Sequence, residues 1–102
     1  MFWFIPVILG SMLAGGVGGM LIGVFIGWLI DITTIEDTVR EKIRNDSRFG
    51  NGVKAMIQSK TTRKVKVGIY EENDSHLGDI ELESDKGVSS DVRVGHVFYL
   101  TN

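Results

Sequence analysis

The sequence predicts a membrane-anchored α+β protein. Its expected parts are one N-terminal transmembrane helix, a juxtamembrane amphipathic helix and a small antiparallel β domain of three to four strands. Residues 1–30 carry no charged side chain, and all 11 basic and 13 acidic residues of the 102-residue chain follow from Asp31 onward. Apolar residues then recur at helical spacing, and after residue 52 they alternate as in strands. The expected domains are residues 1–30, 31–52 and 53–102.

The uncharged N-terminal segment is long enough to cross a bilayer. A spanning helix needs about 20 apolar residues, and residues 7–30 supply 24. Trp3 and Trp28 lie near its two ends, where aromatic rings favour the membrane interface. A retained anchor is favoured over a cleavable signal peptide because the start lacks basic residues and the apolar run is about twice the usual length. A buried core helix is disfavoured because the rest of the chain is too short to enclose it.

Basic residues just after this segment predict its orientation. These basic residues are Arg40, Lys42, Arg44 and Arg48, and no basic residue lies before the apolar segment. Basic residues concentrate on the cytoplasmic side of a membrane. The sequence therefore predicts a single-pass protein of the cell (inner) membrane, with its N-terminus outside and its C-terminal domain cytoplasmic. The same four side chains are candidates for contact with anionic membrane lipid.

Small residues recur at every fourth position of the apolar segment. They are Ser11, Gly15, Gly19, Gly23 and Gly27. Each glycine in a helix costs about 1 kcal/mol relative to alanine, so this spacing needs a physical reason. Membrane helices associate by close packing, and a row of small residues lets two backbones approach. The five residues are therefore a predicted interface with copies of this chain or with other membrane helices.

This spacing resembles that of the broad group of glycine-zipper membrane proteins. The resemblance is carried by Gly15, Gly19, Gly23 and Gly27. It implies self-association in a membrane and implies nothing about chemistry.

Residues 31–52 are expected to form a helix that ends in a glycine-rich turn. Its apolar residues recur at helical spacing, namely Ile32, Ile35, Val39 and Ile43. Thr33 and Glu36 have the spacing of a capping box, and Gly50 with Gly52 supplies a stop. The helix has three possible neighbours: other copies, the C-terminal domain or the membrane surface.

A β-hairpin is predicted from two alternating segments, KVKVGIY and GDIELES, joined by the turn EENDSH. The predicted cross-strand pairs are Val67 with Ile80, Val65 with Leu82, Lys66 with Glu81 and Lys64 with Glu83. One face of the hairpin is then aliphatic and the other carries opposite charges side by side. Residues 92–100 predict a further strand, whereas residues 53–60 fit either a strand or a helix end.

No catalytic or metal-binding constellation is present in the sequence. His76 and His96 lack a second ligand at a suitable spacing, and the chain has no cysteine. The basic segment SKTTRKVK lacks interleaved aromatic residues, so nucleic acid is not an expected partner. Charge is segregated, with +7 over residues 38–66 and −6 over residues 67–102, which suits head-to-tail contacts as well as an ordinary solvated surface. We expect no enzyme activity, no cofactor, no metal and no small-molecule substrate.

The sequence thus predicts a non-enzymatic bacterial or phage membrane protein. It would self-associate through its glycine-zipper helix and present a cytoplasmic β domain as an assembly or docking platform. The alternative is a homo-oligomeric pore, channel or holin-like protein that permeabilises membranes.

Overall fold

The structure, a computed structural model, describes residues 20–100 and contains one helix and one five-stranded mixed sheet in that range. The elements are β1 (Met20–Phe25), α1 (Ile32–Arg44), a 3₁₀ turn (Ser47–Phe49), β2 (Lys54–Lys60), β3 (Lys64–Tyr70), β4 (His76–Glu83) and β5 (Val97–Tyr99). The strand order is β1-β4-β3-β2-β5. β1 runs parallel to β4, and the other three strand pairs are antiparallel.

One face of the sheet and one face of α1 form the hydrophobic core. Ile35 and Val39 of the helix are fully buried in the same cluster as the inward side chains of the sheet. Those inward side chains include Val65, Val67, Ile69, Ile80, Leu82, Ala55, Ile57 and Phe98. The helix therefore packs on the β domain of its own chain, which settles the choice among its three possible neighbours.

β1 forms because the segment MLIGVF alternates between the two faces of the sheet. Met20, Ile22 and Val24 are partly buried against the core, and the residues between them are exposed. Beyond β1 the chain stays attached to the sheet, since Ile26 and Ile30 are buried. The inward half of this apolar segment thus belongs to the core of the β-sheet domain.

The predicted transmembrane helix over residues 7–30 is wrong. Within its second half, Met20–Phe25 form a strand, an exposed bend follows, and Ile30 forms an isolated bridge to Val88. Between residues 20 and 100, no helix combines the length and the apolar character needed to cross a membrane. The membrane-anchored fold class and the single-pass inner-membrane location, with its outside N-terminus, are overturned by this finding. Residues 1–19 lie outside the described range.

The predicted β domain of three to four antiparallel strands is also wrong, because β1 adds a parallel fifth strand beside β4. Residues 53–60, left open by the sequence, contain β2. The strand expected over residues 92–100 is reduced to Val97–Tyr99. Gly95 precedes it with φ +94°, a left-handed conformation that interrupts an extended strand.

Two local predictions are confirmed. The helix is present over Ile32–Arg44 and buries the expected apolar face. Its ends differ from the prediction: the N-cap is Asp31, whose carboxylate accepts a hydrogen bond from the Thr34 N–H at 2.8 Å, and the C-cap is Asn45, before the predicted stop at Gly50 and Gly52. The β3–β4 hairpin has the predicted register at all four pairs, including Lys66 opposite Glu81 and Val67 opposite Ile80.

Candidate self-association surface

The outer edge of β1 is the first component of the site. The Ile26 N–H donates to the Glu83 carbonyl oxygen at 2.8 Å, so Ile26 directs its backbone groups toward β4. In a parallel pair, successive residues of one strand direct their N–H and C=O groups alternately toward the partner strand and away from it. Leu21, Gly23 and Phe25 therefore direct their N–H and C=O groups away from β4. Among residues 20–100, no strand pairs with this edge.

Large apolar side chains are the second component. Leu21 is 58% exposed, Phe25 65%, Trp28 60% and Leu29 46%. We refer to these four residues as the β1 patch. Natural sheets protect an edge strand with charged residues, proline or a short length, but residues 20–30 contain neither a charge nor a proline.

The end of the β1 patch is held in place by hydrogen bonds. The Ser84 hydroxyl donates to the Trp28 carbonyl oxygen at 2.6 Å. The Trp28 indole Nε1 donates to the Thr34 hydroxyl at 3.1 Å. Ile30, two residues later, is fully buried. The exposed Trp28 side chain is therefore held in place from both its backbone and its indole ring. A fixed apolar surface loses less conformational entropy on association than a mobile one.

The opposite edge of the sheet differs from the β1 edge. β5 has only three residues. Arg40 on α1 donates through Nε and Nη2 to the Tyr99 carbonyl oxygen at 3.2 Å and 3.0 Å. Its guanidinium also lies 5.6 Å from the centre of the Phe98 ring. The β5 edge is therefore short and partly closed by a charged side chain.

A polar cluster lies on the sheet face that does not pack against α1. Gln58 Nε2 donates to the Tyr70 hydroxyl at 2.5 Å, and His76 Nε2 is 2.9 Å from Asp79 Oδ1. The Tyr70 and His76 rings are 5.1 Å apart. These groups use one another as partners, and the four of them include no serine, threonine or cysteine. The sequence did not predict the cluster, because an irregularity between Ile69 and Tyr70 sets the Tyr70–His76 pairing.

Two charged pairs shift the pKa values of three side chains near the sheet and the helix end. Lys54 forms an ion pair with Asp74, and the hydrogen bond between them raises the pKa of Lys54. Asp46 accepts hydrogen bonds from the Arg48 side chain, which lower the pKa of Asp46 and raise that of Arg48. Among residues 20–100, no group of three or more potential metal ligands is close enough to hold an ion. The expected lack of cofactors and metals stays a prediction.

Of the five residues predicted for a zipper interface, the structure describes Gly23 and Gly27, and neither lies in a helix. Gly23 lies in β1 and Gly27 in the bend after it. The remaining members, Ser11, Gly15 and Gly19, fall outside the described residues, as does Trp3. The proposed interface anchor Trp28 instead contacts Thr34 of the same chain.

The basic residues predicted to face lipid lie on and just after α1. Arg40 contacts Tyr99, and Arg48 pairs with Asp46 at 2.6 Å. Lys42 and Arg44 occupy the last turn of the helix, where positive charge interacts favourably with the helix dipole. These positions give each of the four a location within the fold, and lipid contact remains an untested prediction.

No protein-family model, no curated protein and no solved structure matches this chain. Functional proposals therefore depend on the geometry of the described residues.

Proposed function

We propose that this protein is a non-enzymatic assembly module that associates with copies of itself through the edge of β1 and the β1 patch. The observation that carries the proposal is the combination of outward backbone groups and large exposed apolar side chains on one uncharged strand. Association leaves α1 and the polar sheet face of each copy accessible for docking other partners.

The size of the β1 patch fits a self-association role. Full burial of a leucine or phenylalanine side chain stabilises by about 1.5–3 kcal/mol. Because about half of each side chain is already buried, complete burial of the patches of two copies would contribute at most on the order of 10 kcal/mol. This is comparable to the cost of association, about 4–15 kcal/mol. Backbone pairing along the edge adds to the apolar contribution.

Charge favours the apolar edge over a head-to-tail contact. The hairpin places Lys66 opposite Glu81 and Lys64 opposite Glu83. Part of the charge segregation in the sequence is therefore compensated inside each sheet. The β1 patch carries no charge that an identical copy would repel.

The alternative predicted from the sequence, a pore or holin-like protein, stays a prediction. It depended on a spanning helix through residues 7–30, and Met20–Phe25 form a strand. No observation on residues 20–100 favours it over assembly.

The mass of the purified full-length protein tests the proposed function. We expect the wild type to be a dimer by sedimentation velocity, and Phe25→Asp to be a monomer, because the substitution buries a charge in the contact. Val94→Asp is the matched control, since Val94 is 59% exposed outside β1 and its variant should remain a dimer. Thermal melts verify that both variants are folded. A wild type that is monomeric at every concentration would contradict the proposal.

A further inference from the structure

We infer that two copies pair antiparallel along β1, with Gly23 of each copy at the twofold axis, and form one continuous ten-stranded sheet. This inference rests on the proposed self-association and specifies its register. It is carried by the outward backbone groups of β1, by the side chains beside them and by the closed β5 edge.

The backbone groups of β1 are self-complementary about Gly23. The Ile26 hydrogen bond to Glu83 shows that the backbone groups of Ile26 face β4. Because the direction alternates from residue to residue, those of Leu21, Gly23 and Phe25 face outward. An antiparallel copy centred on Gly23 places Gly23 opposite Gly23 and Leu21 opposite Phe25. In such pairs the two facing residues exchange both backbone hydrogen bonds. Every outward backbone group of the three residues then has a partner.

The side chains support the same register. Leu21 and Phe25 are exposed on the same side of β1, with Gly23 between them. A Cβ atom added to Gly23 would meet no atom within 4 Å. The two glycines therefore leave open space at the axis, into which the Phe25 rings of both copies can pack. An aromatic side chain over a glycine compensates for the packing that a strand glycine lacks.

Two other arrangements fit less well. A parallel β1 pair needs a stagger of one residue, because facing residues of a parallel ladder direct their backbone groups to opposite sides. That stagger prevents twofold closure. A β1-to-β5 contact is disfavoured because β5 has three residues and Arg40 occupies the Tyr99 carbonyl oxygen.

The antiparallel arrangement also tolerates the acidic residues of β4. Glu81 and Glu83 are exposed or partly exposed one strand away from the contact. The β4 strands of two copies would lie three strand spacings apart, about 14 Å. This exceeds the screening length of about 8 Å at physiological ionic strength, so repulsion between them is weak.

Cysteine cross-linking of the full-length chain tests the register, since the native chain has no cysteine. Facing residues of a hydrogen-bonded antiparallel pair have Cα atoms about 5.5 Å apart, within reach of a disulfide or a short thiol cross-linker. We expect Gly23→Cys to form covalent dimers under mild oxidation. Leu21→Cys alone should not, because the two copies of that position would lie about 14 Å apart.

A mixture provides the complementary experiment. Leu21→Cys combined with a size-tagged Phe25→Cys should give the mixed dimer in preference to either homodimer, and Val94→Cys serves as the exposed control. Dimers that cross-link through Leu21→Cys alone would overturn the register while leaving the proposed self-association intact. A monomeric wild type without cross-linked Gly23→Cys would overturn both, and would leave the β1 edge to a segment of the same chain such as residues 1–19.

Discussion

Arg40 donates two hydrogen bonds to the carbonyl oxygen of Tyr99, from Nε at 3.2 Å and from Nη2 at 3.0 Å. Tyr99 belongs to β5, whose outer edge is thereby supplied with a partner from α1. β1, at the other end of the sheet, directs Leu21, Gly23 and Phe25 outward and is flanked by exposed apolar side chains. The two edges therefore differ in chemistry, and this difference supports β1 as the proposed contact between copies.

Removal of the Arg40 side chain should loosen β5. We expect Arg40→Ala to lower the free energy of unfolding by about 1 kcal/mol, the usual contribution of a partly exposed charge-assisted hydrogen bond. Arg44→Ala on the exposed side of the same helix should change it by less than about 0.5 kcal/mol. Urea unfolding followed by circular dichroism measures both. Equal effects of the two variants would argue against a stabilising contact between α1 and β5.

Gly78 tests the position of β1 beside β4. A Cβ atom at Gly78 would lie 2.9 Å from the Met20 carbonyl oxygen and 3.2 Å from Phe49. Because backbone must move to relieve this contact, Gly78→Ala should destabilise by about 1–3 kcal/mol. Gly27→Ala, in the bend after β1, is the matched glycine control, because an added Cβ there meets no atom within 4 Å, and it should change the free energy of unfolding by less than about 0.5 kcal/mol. If Gly78→Ala behaved like the control in thermal unfolding, β1 would not lie against β4.

Asp31 should make stability depend on pH. The Thr34 backbone N–H lowers the pKa of the Asp31 carboxyl below 3.8. A carboxyl whose pKa is lowered by folding stabilises the folded state at pH values above its pKa in the unfolded chain. This stabilisation disappears as the pH falls through the pKa of the folded state. Wild-type Tm should therefore fall more steeply between about pH 5 and pH 2 than that of Asp31→Asn, since asparagine caps the helix without titrating. Parallel Tm curves for the two proteins would contradict this role of Asp31.

The sequence predicted the hairpin well because two independent patterns agreed on one register. Aliphatic pairing set Val67 opposite Ile80, and charge pairing set Lys66 opposite Glu81. The helical face of Ile35 and Val39 was equally clear, since both side chains recur at helical spacing and both are fully buried.

The sequence did not predict β1, because a spacing of four residues fits two structures. Positions four apart share a helix face, and they also share one face of a strand, whose period is two. Gly23 accordingly lies on the outward face of β1 with Leu21 and Phe25. The lack of charge suggested lipid, whereas Ile26 and Ile30 are buried in a protein core.

The candidate surface depends on strand order, which one sequence does not encode locally. β1 lies beside β4, more than 50 positions later in the chain. Only that pairing makes its other side an edge of the sheet. The Tyr70–His76 contact was similarly hidden, because it follows an irregular pairing in the hairpin.

Hydrogen exchange of individual backbone amides, measured by NMR on the full-length protein across a dilution series, tests the central claim most directly. The account predicts protection of Ile22, Val24 and Ile26 at every concentration, since their backbone groups face β4. It predicts protection of Leu21, Gly23 and Phe25 that appears only where the copies are associated. Uniform protection from Met20 to Phe25 that persists at the lowest concentration, where the copies are dissociated, would contradict it.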